Sequence, residues 1–168
     1  MNDHTWSAGE SSWEHRVTQF WETVDLSDRQ GAVAGMAALV AERPNEDPDA
    51  HFEMGCVYDS TGFEAEAARE YQTARGLGLS GARLERLNIQ QASTLRNLGR
   101  VDEAIAMLEA AEPHPAIGDA RAVFLGLALH DAGRHGEALR VVLEALIPDL
   151  PRYQRSVTAY ARALTDEQ

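Results

Sequence analysis

Gly99-Arg100-Val101-Asp102-Glu103-Ala104 decides the fold, because the chain carries it in three versions. Gly62-Phe63-Glu64-Ala65-Glu66-Ala67 precedes it and Gly133-Arg134-His135-Gly136-Glu137-Ala138 follows it. The glycines lie 37 and 34 residues apart, and in each copy Glu and Ala keep the same offsets from Gly. Glycine ends a helix cheaply, since it alone enters the left-handed region without a Cβ clash. The Glu then falls in the first turn of the next helix, where a carboxylate suits the positive helix end. The Ala has so little bulk that two helices can cross closely over it. A glycine turn and a small residue recurring at this period predict stacked helical hairpins.

Working outward, each turn joins two amphipathic stretches: 48–61 with 64–77, 82–98 with 101–112, and 118–132 with 135–147. The loop Gly76-Leu77-Gly78-Leu79-Ser80-Gly81 lengthens the first spacing, and Pro113 and Pro115 break the chain before the third hairpin. Pro148 and Pro151 precede a last helix near 152–165, carrying Tyr153, Val157, Tyr160, Ala161 and Leu164. A stack of hairpins needs such a helix to cover its open end. Upstream, Ser11-x-x-Glu14 reads as a capping box that opens a helix near 12–24. Trp13, Val17, Phe20, Trp21 and Val24 recur there at helical spacing. Ser27-x-x-Gln30 reads as the cap of a second helix, near 28–43, which Arg43-Pro44 ends. This pair is a degenerate repeat whose turn lacks the glycine. The expected organisation is a single domain: a frayed polar start at 1–11, the degenerate pair at 12–43, an acidic linker at Pro44–Pro48, three hairpins over 48–147, and a cap at 151–165.

Composition narrows the class. At 168 residues the chain is long enough for one domain with a sizeable core. Nowhere does an apolar run reach the roughly 18 residues a membrane span needs. The start, MNDHTWSAGESS, has neither the basic nor the apolar stretch of a secretory signal. Cys56 is the only cysteine, which excludes an internal disulfide and fits a reducing cytoplasm. A net charge of −12 argues against nucleic acid or an anionic membrane as partner. All 15 basic residues are arginine, so Schiff-base and P-loop lysine chemistry is excluded.

Three hairpins in register also resemble the tetratricopeptide repeat (TPR) family. The first reads His51-x₂-Met54-Gly55-x₂-Tyr58, Gly62, Ala67-x₃-Tyr71 and Ala74. The second has Ala92-x₂-Leu95, Gly99, Ala104-x₃-Leu108 and Ala111; the third has Leu125-Gly126-x₂-Leu129, Gly133, Ala138-x₃-Val142 and Ala145. The run from Ala92 to Arg100 is similar to the group-5 TPR families of bacteria. Departures from the TPR pattern are His51, Asn88 and Ala122 at the leading aromatic position, and Ala92 at a usual glycine. The resemblance implies an all-α, right-handed superhelix of about nine helices in antiparallel hairpins. The first helices of the hairpins would line a concave groove that takes a peptide.

The groove positions that carry over are Phe52, Cys56, Asp59 and Ser60 from the first repeat. The second supplies Arg86, Ile89, Gln90, Ser93, Arg96 and Asn97, and the third Val123, Phe124, Leu127, His130 and Asp131. The carboxylate-clamp variant is not met, since Phe52 and Cys56 stand where it has Lys and Asn. Read from the residues alone, Arg86, Ile89 with Gln90, Ser93, and Arg96 with Asn97 share one helix face, opposite a stripe of Leu84, Leu87, Gln91, Leu95 and Leu98. Two fates are open to these arginines: forking onto a ligand carboxylate, or pairing with neighbours such as Asp59 and Asp131. A metal site would have to be assembled from His51, Cys56, His130, Asp131 and His135. No HExxH, CxxC or i,i+4 histidine spacing joins them, so no metal and no other cofactor is expected. Trp13, Val17, Phe20 and Trp21 read as the core of the first helix pair, or else as an interface with a second copy.

Nothing orients a catalytic group, so a non-enzymatic interaction module follows. It is expected to sit in a bacterial-type cytoplasm, bind a protein or peptide partner in the groove, and self-associate as a homodimer. The alternative is a peptide or small-molecule sensor whose groove is gated by the N-terminal helix.

Overall fold

Gly62, Gly99 and Gly133 share one backbone conformation, with φ of 72°, 75° and 76°. An L side chain avoids that region, so the recurring glycine is a conformational requirement and each copy turns the chain alike. At Gly99 and Gly133 an added Cβ would meet nothing within 4 Å. The demand there comes from φ and not from crowding.

The structure, a computed structural model, describes residues 12–166. The start expected to fray, 1–11, lies outside the described residues, and Ser11 with it. Among the described residues every regular element is helical. They are α1 (Trp13–Thr23), α2 (Arg29–Val40), α3 (Pro48–Ser60), α4 (Glu64–Gly76), α5 (Gly81–Asn97), α6 (Val101–Ala110), α7 (Ala120–Asp131), α8 (His135–Leu146) and α9 (Gln154–Asp166), with one 3₁₀ turn, Ile147–Asp149, ahead of α9.

Local chemistry shifts some helix starts from their expected places. At α1 the cap is Ser12, whose hydroxyl accepts from the His15 N–H at 3.3 Å. Asp28, rather than Ser27, caps α2 by accepting from the Gly31 N–H at 3.0 Å. Ser27 is occupied with Asp25, to which its hydroxyl and N–H both donate. Asp47 caps α3 with Pro48 in the first turn, where a missing N–H costs nothing. Gly118, at φ 48°, delays α7 until Ala120.

Each helix packs on its successor, and α5 also packs on both α3 and α7. The first helices of the hairpins thus form one layer and α4, α6 and α8 a second. Ala67, Ala104 and Ala138 are buried where the layers cross. Gly55 and Gly126 admit the Tyr71 ring and the Val142 side chain of the facing helix. Trp13, Val17 and Met36 form a core with Ala50, Met54 and Val57 of α3, and the Trp13 indole N–H donates to the Leu39 carbonyl at 2.9 Å. The degenerate pair is therefore part of the stack. At the other end α9 lies on α8 and the 3₁₀ turn alone. No described helix is long and apolar enough to cross a membrane.

Candidate functional site

Because α3, α5 and α7 stand side by side, a cavity of about 550 Å³ opens among them. Phe52, Glu53, Cys56 and Ser60 line it from α3, Arg86, Ile89 and Gln90 from α5, and Ala120 and Phe124 from α7. Two other segments complete it: Trp21 comes from α1, and Ala116 and Ile117 from the stretch ahead of α7.

Of the residues singled out on the sequence, Phe52, Cys56, Ser60, Arg86, Ile89, Gln90 and Phe124 meet in this cavity. Phe52 and Cys56 offer it only an edge, since both are buried against Tyr71, Ala74 and Leu87. Burial pushes the Cys56 thiol well above its ordinary pKa, which removes the thiolate a nucleophile needs. The remaining groove positions lie elsewhere. Asp59 is half-buried and accepts a hydrogen bond from the Thr94 hydroxyl at 2.9 Å, while burial raises its pKa. Ser93 and Asn97 do not reach the cavity, and Val123 and Leu127 lie exposed beside it on α7. His130 reaches across the Gly133 turn to His135, Nδ1 to Nδ1 at 3.1 Å. His51 is drawn away to Glu70 at 2.6 Å. Among the described residues no three His, Cys, Asp or Glu side chains stand close enough to hold a metal ion.

The two groove arginines have different fates. Arg96 donates through Nε to Asp131 at 2.5 Å, the local pairing. Arg86 is exposed at the rim and makes no ion pair or hydrogen bond with any described residue. A guanidinium held free beside Phe124, Ile89 and Ile117 can bind a carboxylate while the cavity takes up apolar area.

Glu53 and Arg83 were not legible as site residues. Glu53 is only 6% exposed, yet its carboxylate accepts from the Trp21 indole N–H at 2.8 Å and lies 3.6 Å from Arg83 Nε. Burial raises the Glu53 pKa, against the pull of Trp21 and Arg83. Arg83 also pairs with Asp49 at 3.4 Å and with Glu14. This one guanidinium ties α1 and α3 to the start of α5. No local pattern announces it, because Glu14 and Arg83 are 69 residues apart.

Trp13 and Val17 are buried inside the chain, and Phe20 and Trp21 are half-buried against the same core. The aromatic face expected to meet a second copy is mostly used within the molecule. Trp21 belongs to the cavity wall instead.

A TPR_5 family model, described as tetratrico peptide repeat, matches residues 48–164. The chain belongs to the TPR family. The matched stretch runs through the three glycine-turned hairpins and into α9. TPR proteins are generally interaction modules without catalytic activity. No curated protein and no solved structure matches the chain.

Proposed function

We propose that this TPR protein binds, in the cavity among α3, α5 and α7, a short peptide segment that combines a large apolar side chain with an acidic one. Arg86 carries the reading: it is a cation without a partner among the described residues, at the rim of an apolar cavity on a chain of net charge −12. Burying one large apolar side chain against Phe124, Ile89 and Ile117 is worth about 1.5–3 kcal/mol. Apolar area supplies the affinity and Arg86 the orientation. The proposed setting is a reducing cytoplasm, on the strength of the unpaired, buried Cys56.

Panning a displayed peptide library against the full chain tests this. Enriched peptides should pair an aromatic or leucine side chain with Asp or Glu. Arg86→Ala should weaken them most at low salt, where screening is least. Phe124→Ala should weaken them at every salt concentration. Neutral peptides indifferent to both changes would sink the reading.

A second reading, a groove gated by α1, is favoured by the bond from Trp21 to Glu53. In that case Trp21→Ala tightens peptide binding, and in the ungated case it loosens it. Self-association has the half-buried Phe20 as its remaining support on α1; sedimentation across a concentration series measures it.

A further inference from the structure

Nineteen residues past Gly133, the glycine of the last hairpin turn, begins a stretch with three arginines. Arg152, Arg155 and Arg162 fall in and just before α9, with Asp149 ahead of them and Asp166 and Glu167 behind them in sequence. None of the three guanidinium groups has an ion pair or hydrogen bond with a described residue. Most of the other arginines are neutralised by a carboxylate, as Arg96, Arg100, Arg134 and Arg140 are.

The helix leaves these groups outward. Its inner face, Val157, Ala161 and Leu164, lies on α8, where the Leu164 carbonyl comes so near Gly136 that an added Cβ would stand 2.5 Å from it. One side of α9 is thus firmly seated. At 100° per residue the opposite side is a seam of Ser156, Ala159 and Ala163, all exposed. Arg155 and Arg162 flank the seam on one edge, with exposed Asp166 beside them, and Tyr160 on the other. Tyr153 stands immediately ahead of the helix. Tyr153 and Tyr160 are 75% and 72% exposed. Tyr153 also holds φ at 72°, the one non-glycine residue described with positive φ, so a bulky side chain is displayed from a backbone that suits glycine.

We propose that this outer face of α9 docks an acidic amphipathic helix of a partner protein. Unpaired arginines on an acidic chain give the charge complementarity. Tyr and Arg are the side chains that most often carry interface energy. A seam of small residues lets a second helix approach closely enough to touch both edges. Other occupants fit less well. A second copy related by a two-fold axis, with its α9 antiparallel, would set the arginine edge against itself. A bilayer needs large apolar side chains to insert, and the seam has none.

The probe is a synthetic amphipathic helix with a leucine and alanine seam and glutamates on both flanks, its control the same peptide with lysines there. Fluorescence anisotropy with the full chain should show the acidic peptide binding, and binding should fall as salt rises. Arg155→Glu/Arg162→Glu should weaken it at least about tenfold, and the lysine peptide should not bind. Tyr153→Gly should weaken binding while leaving the melting temperature unchanged or higher, since glycine accepts that φ. Because the groove also favours leucine beside glutamate, the measurement is repeated with Arg86→Ala/Phe124→Ala: binding that survives there and is lost on adding Arg155→Glu/Arg162→Glu belongs to α9, which separates this face from the groove. The proposal is overturned if the acidic peptide does not bind, if both peptides bind alike, or if Arg86→Ala/Phe124→Ala abolishes binding. It is equally overturned if Arg155→Glu/Arg162→Glu abolishes phosphatidylserine-vesicle binding or self-association while leaving the peptide untouched.

Discussion

Gly55→Ala should destabilise the protein, although alanine is ordinarily the better helix residue. The new Cβ would stand 2.6 Å from both Cδ1 and Cε1 of Tyr71, where carbon atoms prefer about 3.5–4.0 Å. The ring must therefore retreat by about 1 Å. It has little room, being 0% exposed and packed against Phe52 with centroids 6.3 Å apart. Overpacking of this severity costs about 3 kcal/mol, and the gain in helix propensity returns about 1 kcal/mol. The net loss of about 2 kcal/mol corresponds to a melting temperature lower by roughly 4–8 °C in a chain of this size. Two further glycines serve as controls. Gly76 has open space and ordinary φ, so Gly76→Ala should stabilise slightly. Gly99 has open space but φ of 75°, so Gly99→Ala should cost about 1–2 kcal/mol. Urea denaturation of the three variants measures these signs. In the Tyr71→Leu background the Gly55→Ala penalty should vanish, giving a coupling of about 2 kcal/mol. If Gly55→Ala behaves like Gly76→Ala in the wild-type background, Tyr71 does not pack on Gly55 and the crossing of α3 and α4 is wrong.

Tyr71→Phe removes a buried hydroxyl whose polar company among the described residues is the weak Cys56 thiol, so in the same urea assay it should shift stability by less than about 1 kcal/mol, on the stabilising side. His51 should titrate above the ordinary 6.5 or so in a histidine NMR titration: burial opposes the charged ring, but Glu70 and the Asn45 carbonyl outweigh it. Its raised pKa makes the stabilisation complete below the unfolded pKa and lost as pH rises through the folded one, so the deficit of Glu70→Gln should shrink with rising pH. Arg83→Ala leaves Glu53 buried without its cation, costing about 1.5–3 kcal/mol. The Glu53 pKa, already raised, climbs further, so denaturation should show a larger deficit at pH 8 than at pH 5. Ala104→Trp should badly destabilise the fully buried crossing, and Glu103→Ala, at an exposed pair with Arg100, should leave the melt unchanged.

The helical hairpins were legible because their determinants are local. A glycine at positive φ, an alanine at the crossing and an apolar stripe at helical spacing each depend on residues a few positions apart. Caps were legible to within one residue, since Ser11 and Ser12, or Ser27 and Asp28, offer the same oxygen chemistry at neighbouring positions. The cavity was half legible. Phe124, Arg86, Ile89 and Gln90 sit on faces that helical periodicity assigns, but Trp21, Ile117 and Glu53 reach it only once the stack has folded. Whether Arg86 or Arg96 stayed free could not be read either. That depends on the approach of Asp131 to Arg96 from another repeat, 35 residues away. Tertiary structure likewise decided the fate of the N-terminal aromatics, because burying Trp13 and Val17 requires the surfaces of α2 and α3 beside them. Periodicity marks which face of a helix is apolar; only packing determines what covers it.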